Sequence, residues 1–455
     1  MEKIRNAPTG AQMPRPSLAH FARSLFITLE QKRVRSCAMQ GWEELLEQCR
    51  HESAFELAVH PDDRATLLSV MDLLGTDGYR LVQVLNYSAR VTALTFAWFE
   101  NLSLKTIRID LVFEQLGNPQ KARNLWIAGP SAAFVCTLLR CIAKGTITTR
   151  ERLRMEGLIE KLGISGAEGI AAGLVGGKLA KRIVEEAQAG GLEKLLQKLK
   201  PAVARRQLLN KPSQGLDFLW REAKRRISSW KQPPGLSLVL LGPDGVGKST
   251  LVSGMVSSLA PIFSGEHISH WRPGVVVPIR DGDKSEANPH DDPPRSAFLS
   301  VLYLLGFCLD FWVGHAVRIR PQMAQAKFVI FDRYYYDLLV DQVRYRYSGP
   351  QWLLPFLLRF IPNREQIVLI LDAPESVILS RKRQLTLPEL QRQRIAYRGL
   401  TNTLGDAHII ETQHGIEQAL ASACRVVTEH LGRRLEIRRA DPRASHSIQI
   451  FGGSL

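Results

Sequence analysis

Cysteine is scarce. Cys37, Cys49, Cys136, Cys141, Cys308 and Cys424 are the only six in 455 residues, and no two form a C-x-x-C pair. That pattern excludes a disulfide scaffold and a cysteine-built zinc site, and it reads as free thiols in a reducing cytoplasm. No internal repeat and no low-complexity tract occurs. The opening stretch, Met1 to Pro16, has neither an apolar core nor a small-residue cleavage site, so no secretory signal is expected. Acidic residues are the minority, 44 against 60 Lys and Arg, for a net charge of +16. The basic residues lie in short groups such as Arg221 to Arg226, without interleaved aromatics. Nucleic acid is therefore not an expected partner, and a solvated surface around a polyphosphate site accounts for the charge.

Long apolar runs are few as well. Ala297 to Val317 has the roughly 20 residues a bilayer crossing needs. Asp310, Gly314 and His315 interrupt it, and Arg318 and Arg320 follow. It reads as a buried helix of an α/β domain, with peripheral membrane contact left open.

A length of 455 residues implies two or three domains. Residues 1–120 hold strand-like runs at Phe55–Val59, Tyr79–Val84 and Ile107–Val112, and read as a small α+β domain. Residues 121–230 read as a helical segment, and the Lys231–Gly235 run, with two prolines and a glycine, forms a joint. Residues 234–431 alternate helices with runs that are apolar on both faces: Leu236–Leu241, Lys327–Phe331, Gln366–Leu371 and His408–Ile410. A parallel sheet covered on both sides requires this pattern, so the fold class is α/β. The last helix is placed at Ile416–Leu431, and 432–455 reads as a basic tail.

The run GPDGVGKST, Gly242 to Thr250, matches G-x-x-x-x-G-K-[ST] between a strand and a helix. Gly242, Gly245 and Gly247 let backbone amides converge on phosphate oxygens, and the helix N-terminus adds its positive end. Lys248 would neutralise the outer phosphates, and Ser249 would offer its hydroxyl to Mg²⁺. A second run, VIFDRYYYD, sets Asp332 and Arg333 at a strand's carboxyl end, where doubly wound sheets bind ligands. Asp332 suits a metal or an acceptor hydroxyl; Arg333 suits a second phosphate. A third run, Leu371 to Tyr397, follows a strand-end Asp372 with Arg381, Lys382, Arg383, Arg392 and Arg394 around a short turn. These cations suit a flap over transferring phosphates, or else a solvated basic hairpin.

In this order the three runs resemble the thymidylate kinase family of nucleoside monophosphate kinases. GPDGVGKST is similar to that family's phosphate loop, Asp332-Arg333-Tyr334 to its acceptor motif, LDAPES and the arginines to its fourth strand and lid, and HIIETQ to its last strand. The resemblance spans about residues 234 to 431. It implies ATP and Mg²⁺ as cofactors, with Ser249 and Asp332 at the metal and Lys248, Asp332, Arg333, Arg381 and Arg383 in catalysis. It also implies Asp244, Arg272, Arg333 and Tyr334 at a phosphorylated acceptor. Two features depart from the family: HWRPG stands where it has R-E-P-G, and Asp337 stands where a serine is expected. A polar run from Asp281 to Arg295 is inserted.

The front residues 39–63 and 107–114 look like a nucleotidyltransferase fold. Trp42 follows Gly41 where that family has serine, Ala54 and Glu56 replace its paired aspartates, and Asp110 stands as its third. This is a poor two-metal cage, so the front domain is expected to bind or position rather than catalyse. The expected activity is ATP-dependent phosphoryl transfer to a nucleoside monophosphate. The alternatives are a sugar phosphate acceptor in surface-polysaccharide synthesis, or a non-catalytic ATP-gated module. A homodimer is left open.

Overall fold

The computed structural model describes residues 16–40, 55–88, 90–116, 119–122, 125–196, 199, 212–276, 293–362, 366–382 and 385–440. The readings at Gly41, Trp42, Cys49, Ala54 and Arg383, and most of those on the 281–295 run and the basic tail, lie outside these residues. The chain divides into two compact units, Met1–Lys224 with Gly432–Leu455, and Arg225–Leu431.

The first unit is built on a seven-stranded mixed sheet in the order β3-β4-β5-β2-β1-β7-β6. The strands are β1 (Ser36–Gln40), β2 (Phe55–Val59), β3 (Arg80–Ser88), β4 (Val91–Glu100), β5 (Ser103–Phe113), β6 (Gln120–Ala122) and β7 (Leu125–Ile127). Alternate residues split between two cores. Leu57, Val59, Phe96, Ile109 and Leu111 pack with the helices Leu18–Gln31 and Arg64–Thr76. Ala58 and Val112 pack with the helices from Pro130 onward. This is the period-two division of a sheet covered on both faces. The segment expected to be helical from residue 121 opens instead with β6 and β7, and its first helix is Pro130–Lys144. Pro130 supplies the fixed φ of a helix start, and Gly145 ends the helix at φ +77°.

The second unit is a five-stranded sheet, wholly parallel, in the order β12-β11-β8-β10-β9. Its strands are β8 (Leu236–Leu241), β9 (Glu266–His270), β10 (Phe328–Asp332), β11 (Gln366–Asp372) and β12 (Ala407–Glu411). All six residues of the central β8 are buried. Val239, Leu241, Val329, Phe331, Val368 and Ile370 share a core with Phe311, Ile319, Met323, the three tyrosines Tyr334–Tyr336, and Tyr397. The last helix runs past the expected end, from Ile416 to Ala440.

The apolar helix Ala297–Gly314 continues through a π-turn, His315–Ile319, to Ala324. By length and composition it could cross a membrane, and only part of it is buried inside the protein. Its inner side, with Leu304, Phe307, Asp310 and Phe311, is buried. Its outer side exposes Phe298, Leu302, Leu305, Leu309 and Trp312. The expectation of a buried helix therefore holds for one face only. Asp310, an interruption in the sequence, accepts the amides of Gly274, Val275 and Val276 at 2.8, 2.6 and 2.6 Å.

Candidate active site

Parallel strands deliver their carboxyl ends to one edge. In this sheet Asp332 pairs in register with Leu240 and His270, and Asp372 with Glu411. The glycine loop springs from β8 at the centre of that edge, and the helix Lys248–Leu259 follows it. Gly242, Gly245 and Gly247 have φ of +143°, +86° and +108°. A Cβ on Gly242 would lie 2.7 Å from the Leu371 carbonyl oxygen, and one on Gly245 would lie 2.9 Å from Lys382 Cβ. Only glycine fits at these two positions, and a glycine-shaped loop opening a helix is the kind of backbone that can turn its amides toward an anion.

Lys248 is buried at the loop's centre. Its Nζ donates to the carbonyls of Gly242 at 2.8 Å and Pro243 at 3.0 Å, and lies 3.7 Å from Asp244. Burial and the neighbouring Arg333 cation together push its pKa down to about 8, against the opposing pull of Asp244. An anion at the loop would restore the full charge.

Arg333 follows β10 with φ +74°, a left-handed backbone rare for a side-chain-bearing residue. Its amide donates to Leu240 at 3.0 Å, which holds the residue to the central strand. From there its guanidinium spans two carboxylates, Asp337 at 2.6 Å and Asp244. Asp337 is fully buried and also accepts the hydroxyls of Tyr345, at 2.7 Å, and Tyr397. Burial alone would raise its pKa, but Arg333 and the two hydroxyls hold it below the usual carboxylate range. Asp244 is held low in the same sense: burial opposes ionisation, and Arg333, Lys248 and Arg344 overcome it.

Asp332 lies beside this group. His270 Nδ1 is 3.7 Å from its Oδ2, whereas its Oδ1 is buried without a hydrogen-bond partner. The orphaned carboxylate oxygen of Asp332 and the exposed hydroxyl of Ser249 in the glycine loop are hard oxygen donors of the type Mg²⁺ takes. Thr250 is exposed next to Ser249. Across the loop, Arg381 donates to the Val246 carbonyl at 3.3 Å and the Thr412 carbonyl at 3.1 Å, and Thr412 Oγ1 donates to Val246 at 2.8 Å. The chain just after β12 is thereby tied to the loop both through Arg381 and by Thr412 itself.

The structure thus brings Asp244, Lys248 and Arg333 into direct contact, with Arg381 on the loop's own carbonyl. It gives Arg272 and Tyr334 other partners. Arg272 is buried against Asp310 at 3.1 Å, and Tyr334 is a core residue whose hydroxyl donates to the Pro362 carbonyl at 2.7 Å. The flap cations Arg392 and Arg394 are paired with Glu389, at 2.7 Å, and Asp372, at 2.8 Å. Sequence reading missed Arg344, Asp337 as a hub, and Thr412. In the first unit Glu56 and Asp110 lie side by side in register, but side-chain cations engage both. Arg108, Arg140 and Lys144 contact Asp110 at 3.0, 3.1 and 2.5 Å, and Arg140 and Arg154 contact Glu56.

No protein family and no curated protein matches this chain. Among solved structures, the chain is similar to the thymidylate kinase from Ehrlichia chaffeensis at 18% sequence identity and a TM-score of 0.32, over 43% of this chain and 100% of that one.

Proposed function

We propose that the second unit is an ATP- and Mg²⁺-dependent kinase that phosphorylates a nucleoside monophosphate or a related phosphate ester. One observation carries this reading: at the carboxyl edge of a parallel sheet, a glycine loop, a buried lysine and an arginine held between two aspartates meet at one point. A site of this kind acts by positioning and by neutralising charge on transferring phosphates.

Bound ATP and Mg²⁺ would supply the transferable phosphoryl group and a divalent charge on it. The loop amides and Lys248 would hold the donor phosphates, Ser249 and Asp332 the metal. Arg381, resting on the loop carbonyl, would bear on the same phosphates from the β12 side. Arg333 would hold the acceptor's phosphate and so fix the line of transfer. With Arg272 and Tyr334 engaged by Asp310 and Pro362, the site would take a phosphate ester other than thymidylate. The first unit, with Glu56 and Asp110 already neutralised by side chains, serves to bind or position rather than to catalyse.

We also propose a homodimer through the outer face of the helix Ala297–Gly314. Phe298, Leu302, Leu305, Leu309 and Trp312 recur at the 4-3-4-3 spacing of a helix–helix seam. With Leu299 and Val317 they expose on the order of 800 Å² of uncharged surface, the scale per partner of a stable interface. Light scattering should give a dimer that Leu305→Glu with Leu309→Glu dissociates. A monomeric wild type that floats with anionic vesicles would instead assign the face to membrane.

The test of the kinase reading is an acceptor screen with purified protein, ATP and Mg²⁺, read as ADP release. Nucleotide bound tightly without turnover on any phosphate ester would replace it with an ATP-gated binding module.

A further inference from the structure

Arg344 belongs to none of the sequence motifs, yet it reaches the phosphate loop. It lies on a turn fixed by local bonds: Asp341 Oδ1 accepts the Arg344 amide at 3.2 Å, and the amides of Arg346 and Tyr347 donate to Val343 and Gln342 at 2.9 and 3.0 Å. Trp271 stacks on Tyr345 of the same turn, ring centroids 4.5 Å apart. From this base Arg344 Nη2 contacts Asp244 Oδ2, while Arg333 Nη2 contacts Oδ1 of the same carboxylate. Two guanidinium groups therefore share one carboxylate, one on each oxygen, with Lys248 3.7 Å away. Both arginine side chains keep some exposure, 13% for Arg333 and 19% for Arg344, so solvent reaches them.

We propose that Arg344 is an acceptor-binding residue, and that Asp244 holds the place of the acceptor's phosphate between Arg344 and Arg333 until a phosphate monoester takes it. The proposal deepens the kinase reading and rests on it. A guanidinium fork accepts carboxylate and phosphate oxygens in the same planar geometry, so one can replace the other without rebuilding the site. A phosphate dianion carries more charge than a carboxylate and presents three acceptor oxygens, which favours the exchange when both arginines are offered together. Asp337 stays bound to the other side of Arg333 and keeps its guanidinium aimed at the exchange point. Asp244, once displaced, becomes free to accept a hydrogen bond from the incoming molecule.

The experiment uses the full chain saturated with Mg²⁺ and a non-hydrolysable ATP analogue, titrated by calorimetry with inorganic phosphate. Wild type should bind phosphate, and Arg344→Gln should weaken that binding by about 10- to 100-fold while leaving analogue affinity unchanged. Arg344→Lys should recover part of the loss. Asp244→Asn should tighten phosphate binding, because the competing carboxylate charge is gone. A purely structural Arg344–Asp244 bridge predicts the opposite for Asp244→Asn, and that result overturns the proposal, as does phosphate binding that ignores Arg344→Gln. If the analogue itself does not bind, the kinase reading fails alone. The assignment is then decided by the same Arg344 comparison in a Lys248→Met background, where phosphate binding no longer depends on the loop lysine.

Discussion

The Arg333 guanidinium donates to Asp337 at 2.6 Å, and the Asp337 carboxylate is wholly removed from solvent. The pair is the hinge between the phosphate loop, reached through Asp244, and the core tyrosines Tyr345 and Tyr397. A buried pair of this kind adds little net stability over apolar side chains, but breaking it strands a charge. Asp337→Ala should therefore cost about 3–5 kcal/mol, the usual loss when one member of a buried pair is removed. Urea denaturation is the check. The folded pKa of Asp337 lies below its unfolded value. Its contribution is thus present above the ordinary carboxylate pKa and is lost as pH falls through the depressed value. Stability of the wild type should fall in acid, and that acid dependence should shrink in the variant.

Lys248 gives a second pH signature, in the alkaline range. Its folded pKa of about 8 lies below the ordinary value of 10.5, so between these the unfolded chain binds the extra proton. Its burial therefore costs stability below pH 8, and the cost is relieved as pH rises through that window. Nucleotide phosphates should reverse the shift and draw a proton onto Lys248 when they bind near pH 8. Calorimetry of nucleotide binding in two buffers of different ionisation enthalpy should show proton uptake, and Lys248→Met should abolish it. Turnover in that variant should drop by about 10²–10³-fold or more, the scale of one lost electrostatic contact to developing charge. Undiminished turnover would remove the kinase reading.

The first unit is predicted to respond in stability, not activity. Burial opposes ionisation of Asp110, but Arg108, Lys144 and Arg140 bring its pKa down to about 2. Asp110→Ala would leave three cations facing a hole, at a cost of about 3–5 kcal/mol. ADP production by the second unit should be unaffected at temperatures where the variant is folded. A loss of turnover in a folded Asp110→Ala protein would mean that the front unit takes part in the chemistry.

Much of the second unit was legible because its signals are local. β8 coincides with the apolar run Leu236–Leu241, and β10, β11 and β12 match their runs within one residue at each end, since buried parallel strands are continuous apolar runs. β9 was missed: Glu266–His270 has one apolar residue and sits at the sheet edge, where no such run is required. The glycine loop was legible because φ near +90° leaves few residue choices. The Arg344–Asp244 contact was not, because its partners are 100 residues apart and the Asp341–Tyr347 turn that aims Arg344 has no periodicity. Arg272 and Tyr334 show the reverse case. Their motif positions were legible, but their partners Asp310 and Pro362 depend on packing that no motif encodes.

The boundary of the second unit gives the last prediction. Contacts divide the chain at Arg225 and Leu431, but the helix Ile416–Ala440 runs straight through the second of these positions. A cut at 431 keeps the buried Leu431 and removes the helix's last nine residues, which the contacts assign to the first unit. A fragment of residues 225–440 keeps the parallel sheet, the loop and the whole helix. It should fold cooperatively and bind a Mg²⁺-loaded ATP analogue within about threefold of the full chain, a difference below 1 kcal/mol. A fragment of 225–431 should bind the analogue equally well, because the residues it lacks belong to the first unit. Activity then separates the functional readings. Equal turnover in fragment and full chain assigns the reaction wholly to the second unit. Binding without turnover in the fragment, restored when the first unit is present, would make the first unit part of an ATP-gated device. A fragment that neither folds nor binds nucleotide would show that the two units form one cooperative core.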